Sequence, residues 1–285
     1  MIKPVLAICS LQYDPGCVWS LIELIKTNFF VGHVQVTTTL LPGARNTAIQ
    51  QALLNNPDFT HLLFIDDDMV DFTIDHVEEL VKADKDIISA LVTMRKPPYT
   101  IPIELEGENS FDMKNILSFI KEERILPALH TGMAFTLIKR NVIDKLAEDT
   151  PKGQVWFTMD REPRDTFHKE MMQFAHDLKN KIVDGISLDV YTVISDAVAF
   201  GMSAHIGSDL LGEDIAFCKR AKKFGFQPFV HCGVIVGHMG SKPITVRDTI
   251  KFNVDEQVRM SYNKGKEGVV HEKQELTKSS VIAAV

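Results

Sequence analysis

The sequence predicts an α/β protein with a mixed, mostly parallel, doubly wound sheet and helices on both faces. Three observations carry that expectation. Short apolar runs alternate with helical periodicity over about the first 90 residues, the rhythm of βαβ units. One run, Leu62-Leu63-Phe64-Ile65, is apolar at every position, as in a strand covered on both sides. The chain has 285 residues, 45% hydrophobic and 24% charged, enough for one large domain with a substantial core.

Val5 to Cys9 reads as the first strand. Leu11 to Gly16 reads as a loop, with Asp14-Pro15-Gly16 as its turn signal. Val18 to Asn28 has helical spacing, with Val18, Leu21, Ile22 and Ile25 on one face. His33 to Leu40 is a second strand, broken by Pro42-Gly43, and Ala44 to Asn55 is a helix. Leu62 to Ile65, Ile74 to Ala83 and Ile87 to Val92 continue as strand, helix and strand. After Pro97-Pro98 the rhythm changes, and Glu104 to Glu123 is polar and irregular. Ala134 to Ile138 is a further strand, followed by a helix from Asn141. Glu213 to Phe224 is a helix stopped by Gly225, and Phe229 to Val236 is the last strand. The expected domain spans 1–240, with an insertion at about 155–210 that covers or shapes a site. Residues 241–285 are expected to form a C-terminal extension, partly mobile.

The formal charge of −7 argues against broad electrostatic attachment to nucleic acid or an anionic membrane. Cysteines stand at 9, 17, 218 and 232 without a CxxC pair, so reduced thiols and a cytoplasmic location are expected. The N-terminus lacks a signal-peptide h-region, and no apolar run is long enough for a membrane span.

Asp66-Asp67-Asp68 follows directly on the third strand. Ligands of open α/β sheets bind beyond the carboxyl ends of strands. In extended chain Asp66 and Asp68 would point one way and Asp67 the other. Two carboxylates on one side repel unless a cation intervenes, and a hard divalent ion, Mg²⁺ or Mn²⁺, suits oxygen ligands. Such an ion is also what a diphosphate leaving group needs. A second group, Gly212-Glu213-Asp214, opens a helix, where acids are also favoured by the exposed N–H groups and the dipole. The last strand ends in Val236-Gly237-His238, which puts an imidazole where it could reach a metal. Lys219-Arg220-Ala221-Lys222-Lys223 reads as a solvated face that complements its helix C-terminus.

The ordered set Arg45-Asn46, Phe64-Ile65-Asp66-Asp67-Asp68-Met69, His130-Thr131-Gly132-Met133-Ala134-Phe135, Gly212-Glu213-Asp214-Ile215-Ala216-Phe217-Cys218 and Gly237-His238 resembles family-2-like GT-A glycosyltransferases, in particular short bacteriophage and bacterial members. The resemblance spans about residues 3–240. It implies the Rossmann-like GT-A fold and transfer of a sugar from a nucleotide-sugar donor to an acceptor hydroxyl, with Mn²⁺ or Mg²⁺. Asp68, with Asp66 and His238, would hold the metal. Asp66 and Asp67, with Arg45 and Asn46, would face the donor nucleotide. His130, Thr131 and Gly132 would border sugar and acceptor. Asp214 would be the general base of a single inverting step, with Glu213 beside it. Glycan, lipid-linked, protein and modified-DNA acceptors all fit. Two other classes share parts of the pattern. Phe64 to Val70 also satisfies the D-x-D-x-V run of HAD-like phosphatases, with Asp66 as nucleophile. A non-catalytic nucleotide-sugar binder would use the same scaffold.

Overall fold

The computed structural model describes residues 2–10, 13–37, 41–97, 99–107, 115–148, 156–158, 161–162, 209–210, 212–240 and 242–254. The first half alternates strand and helix: β1 (Pro4–Ser10), α1 (Pro15–Lys26), β2 (Gly32–Thr37), α2 (Leu41–Asn55), β3 (His61–Asp66), the short β4 (Met69–Val70), α3 (Ile74–Lys82) and β5 (Ile87–Leu91). The second half adds β6 (Glu104–Leu105), α4 (Ile116–Lys121), β7 (Ile125–His130), β8 (Phe135–Lys139), α5 (Arg140–Glu148), β9 (Arg161–Glu162), β10 (Asp209–Leu210), α6 (Glu213–Lys223), β11 (Pro228–Ile235), β12 (Gly237–Met239) and β13 (Pro243–Ile244).

Eight strands form one sheet in the order β2-β1-β3-β8-β5-β11-β7-β6. β1 pairs in parallel with β2 and β3, and β5 with β11. β8 runs antiparallel between β3 and β5, and β7 antiparallel between β11 and β6. Six strands therefore share one direction and two, β7 and β8, oppose it. The layering is the Rossmann-like, mostly parallel α/β arrangement that the sequence predicts.

Strand pleating divides the core between the two faces. Leu62 and Phe64 of β3 pack with Ala48 and Ile49 of α2, Val142 and Leu146 of α5, and Phe217 and Ala221 of α6. Leu63 and Ile65 pack with Cys17, Leu21 and Leu24 of α1 and with Val77 and Leu80 of α3. Both faces of β3 are covered, which is why its sequence is apolar without alternation. All four cysteines are buried free thiols.

Several local expectations are corrected. Asp14-Pro15-Gly16 is the start of α1 rather than a turn: Asp14 is the N-cap, its carboxylate accepts from Gly16 N at 2.7 Å, and proline occupies the first turn, where its missing N–H is not needed. The stripe of α1 that faces the core is Cys17, Leu21 and Leu24, while Val18, Ile22 and Ile25 are exposed. Pro42 and Gly43 lie in the first turn of α2 instead of before it, for the same reason. The irregular stretch 104–123 contains β6 and α4. Strand β7 carries Pro127, a residue that disguises a strand in the sequence; its carbonyl is used by Glu106 N at 3.0 Å.

Residues past 240 also pack on the core. Val246 and Ile250 are buried in a third cluster with Leu91, Val230 and Cys232, and Thr249 donates to the Tyr99 carbonyl at 2.5 Å. Trp156 and Phe157, at the start of the expected insertion, are buried too, with the Phe157 ring stacked on Phe217 at 4.5 Å. Beyond residue 158 the insertion is described only at the antiparallel β9–β10 pair, and the tail beyond 254 lies outside the described residues. No described helix is long and apolar enough to cross a membrane.

Candidate active site

The acidic triplet sits at a change of direction. β3 ends at Asp66, Asp67 and Asp68 form a turn, and β4 leaves to pair with β12. That pairing sets His238 opposite Met69, and Met239 N donates to the Asp68 carbonyl at 2.7 Å. The alternation expected of an extended chain is thereby lost, and Asp66 and Asp68 have different partners.

Asp68 Oδ2 lies 3.0 Å from His238 Nε2 and accepts from Arg95 Nη1 at 2.8 Å. His238 Nδ1 lies 2.8 Å from the Thr93 carbonyl. A carbonyl only accepts, so Nδ1 carries a proton and Nε2 is the nitrogen aimed at Asp68. Burial alone would lower the pKa of this imidazole; the hydrogen bond and charge of Asp68 outweigh it and raise the value.

Asp66 belongs to a second cluster. Arg45, from α2, is 2% exposed and fans out to three acids. Its Nη1 reaches Glu213 Oε1 and Asp214 Oδ1, each at 2.5 Å, and its Nη2 reaches Asp66 Oδ1 at 3.3 Å. Burial opposes the guanidinium charge, but the three carboxylates win and raise its pKa. Asp214 Oδ2 also accepts from Met133 N at 3.2 Å. Burial, reinforced by Glu213 and Asp66, raises the Asp214 carboxyl to about 6 against the pull of Arg45 and the Met133 amide. Burial likewise raises Asp66 above the usual carboxylate range. One guanidinium faces three carboxylates, so the cluster favours a further positive charge nearby.

A cavity of about 460 Å³ joins these groups, within the size range of small-molecule sites. Arg45, Asp66, His130, Thr131, Gly132, Glu213, Asp214 and His238 all line it. His130 also pairs with Glu104 at 3.0 Å. A Cβ on Gly132 would come no closer than 3.8 Å to Asp214, so space does not require glycine there. Asn46 does not line the cavity. Its amide is spent on Phe157, accepting from N and donating to O at 2.9 Å each. Asp67 offers its backbone carbonyl to Asp14 N at 3.1 Å and is also absent from the lining. Asp68 is not a lining residue either, but it reaches the cavity edge through His238.

No protein-family model matches the chain, and no curated protein does. Among solved structures it is similar to A197 from STIV, at 13% identity over 84% of this chain and 86% of that one, with a TM-score of 0.45. It is also similar to a glycosyltransferase involved in the glycosylation of the major capsid of PBCV-1, at 13% identity over 54% and 69% of the two chains, with a TM-score of 0.27. With both scores under 0.5, the chemistry of the site rests on its own residues.

Those residues include three that motif reading passed over. Arg95, Thr93 and Ser89 lie on β5 or just beyond it, and all three touch the site or its supports. The rule that ligands gather beyond strand ends points to residues 92–95 as much as to 66–68. The sequence there, Val92-Thr93-Met94-Arg95, has no acid pair to draw attention. Together the site offers a carboxylate of raised pKa, an imidazole–carboxylate pair and an excess of negative charge around one cavity.

Proposed function

We propose that the chain is a GT-A-type glycosyltransferase that moves a sugar from a nucleotide-sugar donor to an acceptor hydroxyl. The observation that supports this reading best is that one cavity is lined both by Asp214, raised to about 6, and by His238, whose Nε2 faces Asp68.

A divalent ion fits the Asp68–His238 pair. The Thr93 carbonyl fixes the ring so that Nε2 points at the carboxylate, the usual support behind a metal-bound imidazole. Mg²⁺ and Mn²⁺ take few protein ligands and fill the rest of their shell with phosphate oxygens and water. Among the described residues no group of three or more His, Cys, Asp or Glu could hold a metal, so donor phosphates would complete the site. Asp66 is assigned to Arg45 rather than to the ion. When bound, the ion would neutralise negative charge on the departing diphosphate.

The chain's own residues account for the remaining steps. Asp214 takes the proton of the acceptor hydroxyl, whose oxygen bonds to the anomeric carbon as the bond from that carbon to the donor phosphate breaks. Arg45 and the Met133 amide hold one Asp214 oxygen each and fix the direction of the base. Asp66 and Glu213 exceed the charge of Arg45 and favour positive charge growing at the anomeric carbon. A single displacement with inversion needs no nucleophile beyond these groups.

A thermal-shift screen of nucleotide sugars tests the reading. Donors sharing one base should raise the melting temperature with Mn²⁺ present and lose the effect with chelator. No response to any nucleotide sugar, with Mn²⁺ present, counts against it.

A further inference from the structure

Asp68 Oδ2 is one oxygen with two nitrogen neighbours, Arg95 Nη1 at 2.8 Å and His238 Nε2 at 3.0 Å. The two are held differently. The other ring nitrogen of His238 is tied to the Thr93 carbonyl, and its side chain is 16% exposed. Arg95 stands just beyond β5 with its side chain 54% exposed, and its guanidinium is paired with Asp68. An exposed ion pair is a weak tie, because water and salt screen it. Of the two neighbours, Arg95 is the one that can leave.

A divalent ion at Asp68 and His238 gives it a reason to do so. An ion on Oδ2 brings two positive charges next to a guanidinium on the same oxygen, and like charges repel. The diphosphate of a donor has the opposite need. Its oxygens only accept and call for cations, and a planar guanidinium fits two of them at once. Among the described residues that line the cavity Arg45 is the one Arg or Lys, and Asp66, Glu213 and Asp214 already claim it. Arg95 stands at the Asp68 edge of that cavity, where the ion and its phosphates would meet.

We propose that Arg95 has two positions and binds the donor diphosphate in the second. In the ion-free protein its guanidinium neutralises Asp68 in place of a divalent ion. When ion and donor bind, it moves from the carboxylate to the diphosphate. This rests on the donor reading above and adds an exchange to it. The ion alone competes with Arg95 for Asp68, whereas ion and diphosphate together give the guanidinium a better partner. Ion and diphosphate therefore strengthen each other's binding.

Calorimetry on the full chain tests the exchange. The probes are Mn²⁺ alone and, with Mn²⁺ present, inorganic pyrophosphate, UDP, GDP, CDP, ADP and dTDP. Pyrophosphate carries the diphosphate without a choice of base or sugar. Arg95→Met should move the affinities in opposite directions. Mn²⁺ alone should bind about two- to fivefold more tightly, the weight of an exposed ion pair. Pyrophosphate and the preferred nucleotide should bind about tenfold more weakly, the weight of a charge-assisted hydrogen bond. Arg95→Lys should keep part of the diphosphate affinity. Lys96→Met removes the same charge from the next, exposed position and should leave both affinities as in wild type. The melting temperature of Arg95→Met should stay close to wild type, so lost binding is separable from lost folding. Mn²⁺ affinity that is unchanged or weaker in Arg95→Met, or diphosphate affinity equal to wild type, overturns the exchange and leaves the donor reading standing. If pyrophosphate shows both shifts and none of the nucleotides binds, the exchange stands and the donor reading falls. If wild type binds neither pyrophosphate nor a nucleotide, both fall.

Discussion

Arg45 and Asp214 meet at 2.5 Å, joining α2 to the first turn of α6 across the mouth of the sheet. The same Nη1 holds Glu213 at 2.5 Å, and Nη2 reaches Asp66. A single buried guanidinium therefore holds the proposed base in position and opposes the rise that burial gives its pKa.

Removing that guanidinium should be costly. Arg45→Met leaves three acids without a cation, and breaking a buried ion pair from one side costs about 3–5 kcal/mol. The melting temperature should fall well below wild type, and Arg45→Lys should recover only part of the loss, because an ammonium lacks the planar fork. A melting temperature equal to wild type in Arg45→Met would show that the cluster does not hold the helix start in place.

Asp214→Asn keeps the shape and removes the basicity. The turnover rate should drop about 100-fold or more, with donor affinity nearly constant. In wild type the rate should rise with pH and level off above about 6, where Asp214 is ionised. That rise should be absent from the residual activity of the variant. Equal turnover in Asp214→Asn alongside a dead Glu213→Gln would transfer the role to Glu213.

The same carboxyl has a consequence for stability. Its folded value of about 6 lies above the ordinary 3.8, so the folded protein binds the proton more tightly than the unfolded chain between those values. The contribution of Asp214 is fully present below about pH 4 and is lost as the pH rises through 6. It amounts to at most about 3 kcal/mol. Denaturant unfolding of wild type and Asp214→Asn should differ in pH dependence over that window, with the flatter curve in the variant. Parallel curves would contradict the assignment.

The sequence made the framework legible because the strong signals were strong for physical reasons. β1, β3 and β5 are mostly apolar without alternation because both faces are covered, and α6 announces itself by acids at one end and Gly225 at the other. What stayed hidden depends on contacts between distant segments. Nothing local to Phe135–Lys139 tells that β8 runs antiparallel between two parallel strands. Nothing in Asp66-Asp67-Asp68 tells that a turn separates the outer carboxylates, or that Arg45 claims the first of them from 21 positions away. In the sequence Asn46 reads as part of a binding pair with Arg45. One helical position apart, the two side chains leave on different faces, and Asn46 reaches Phe157 instead.

That difference is itself testable. Asn46→Ala strips the partner from both backbone groups of Phe157, each a loss of about 1–3 kcal/mol when buried. Unfolding free energy should fall by about 2–6 kcal/mol in all. Donor affinity of the folded protein should stay as in wild type. Weakened donor binding at unchanged stability would return Asn46 to the nucleotide end of the site.

The metal assignment separates the two outer acids of the triplet. Asp68→Asn and His238→Ala should each weaken Mn²⁺-dependent nucleotide affinity at least about tenfold. Asp66→Asn should affect stability and rate more than metal affinity, since its partner is Arg45. Loss of Mn²⁺ dependence in Asp66→Asn alone would reverse the assignment.

The most direct measurement is release of nucleoside diphosphate from a panel of nucleotide sugars, in Mn²⁺ and in excess EDTA, by wild type and Asp214→Asn. The account predicts diphosphate release with at least one donor, its disappearance in EDTA, and a loss of about 100-fold in the variant. The contradicting result is inorganic phosphate released from a simple phosphomonoester and abolished by Asp66→Asn, with every nucleotide sugar left intact.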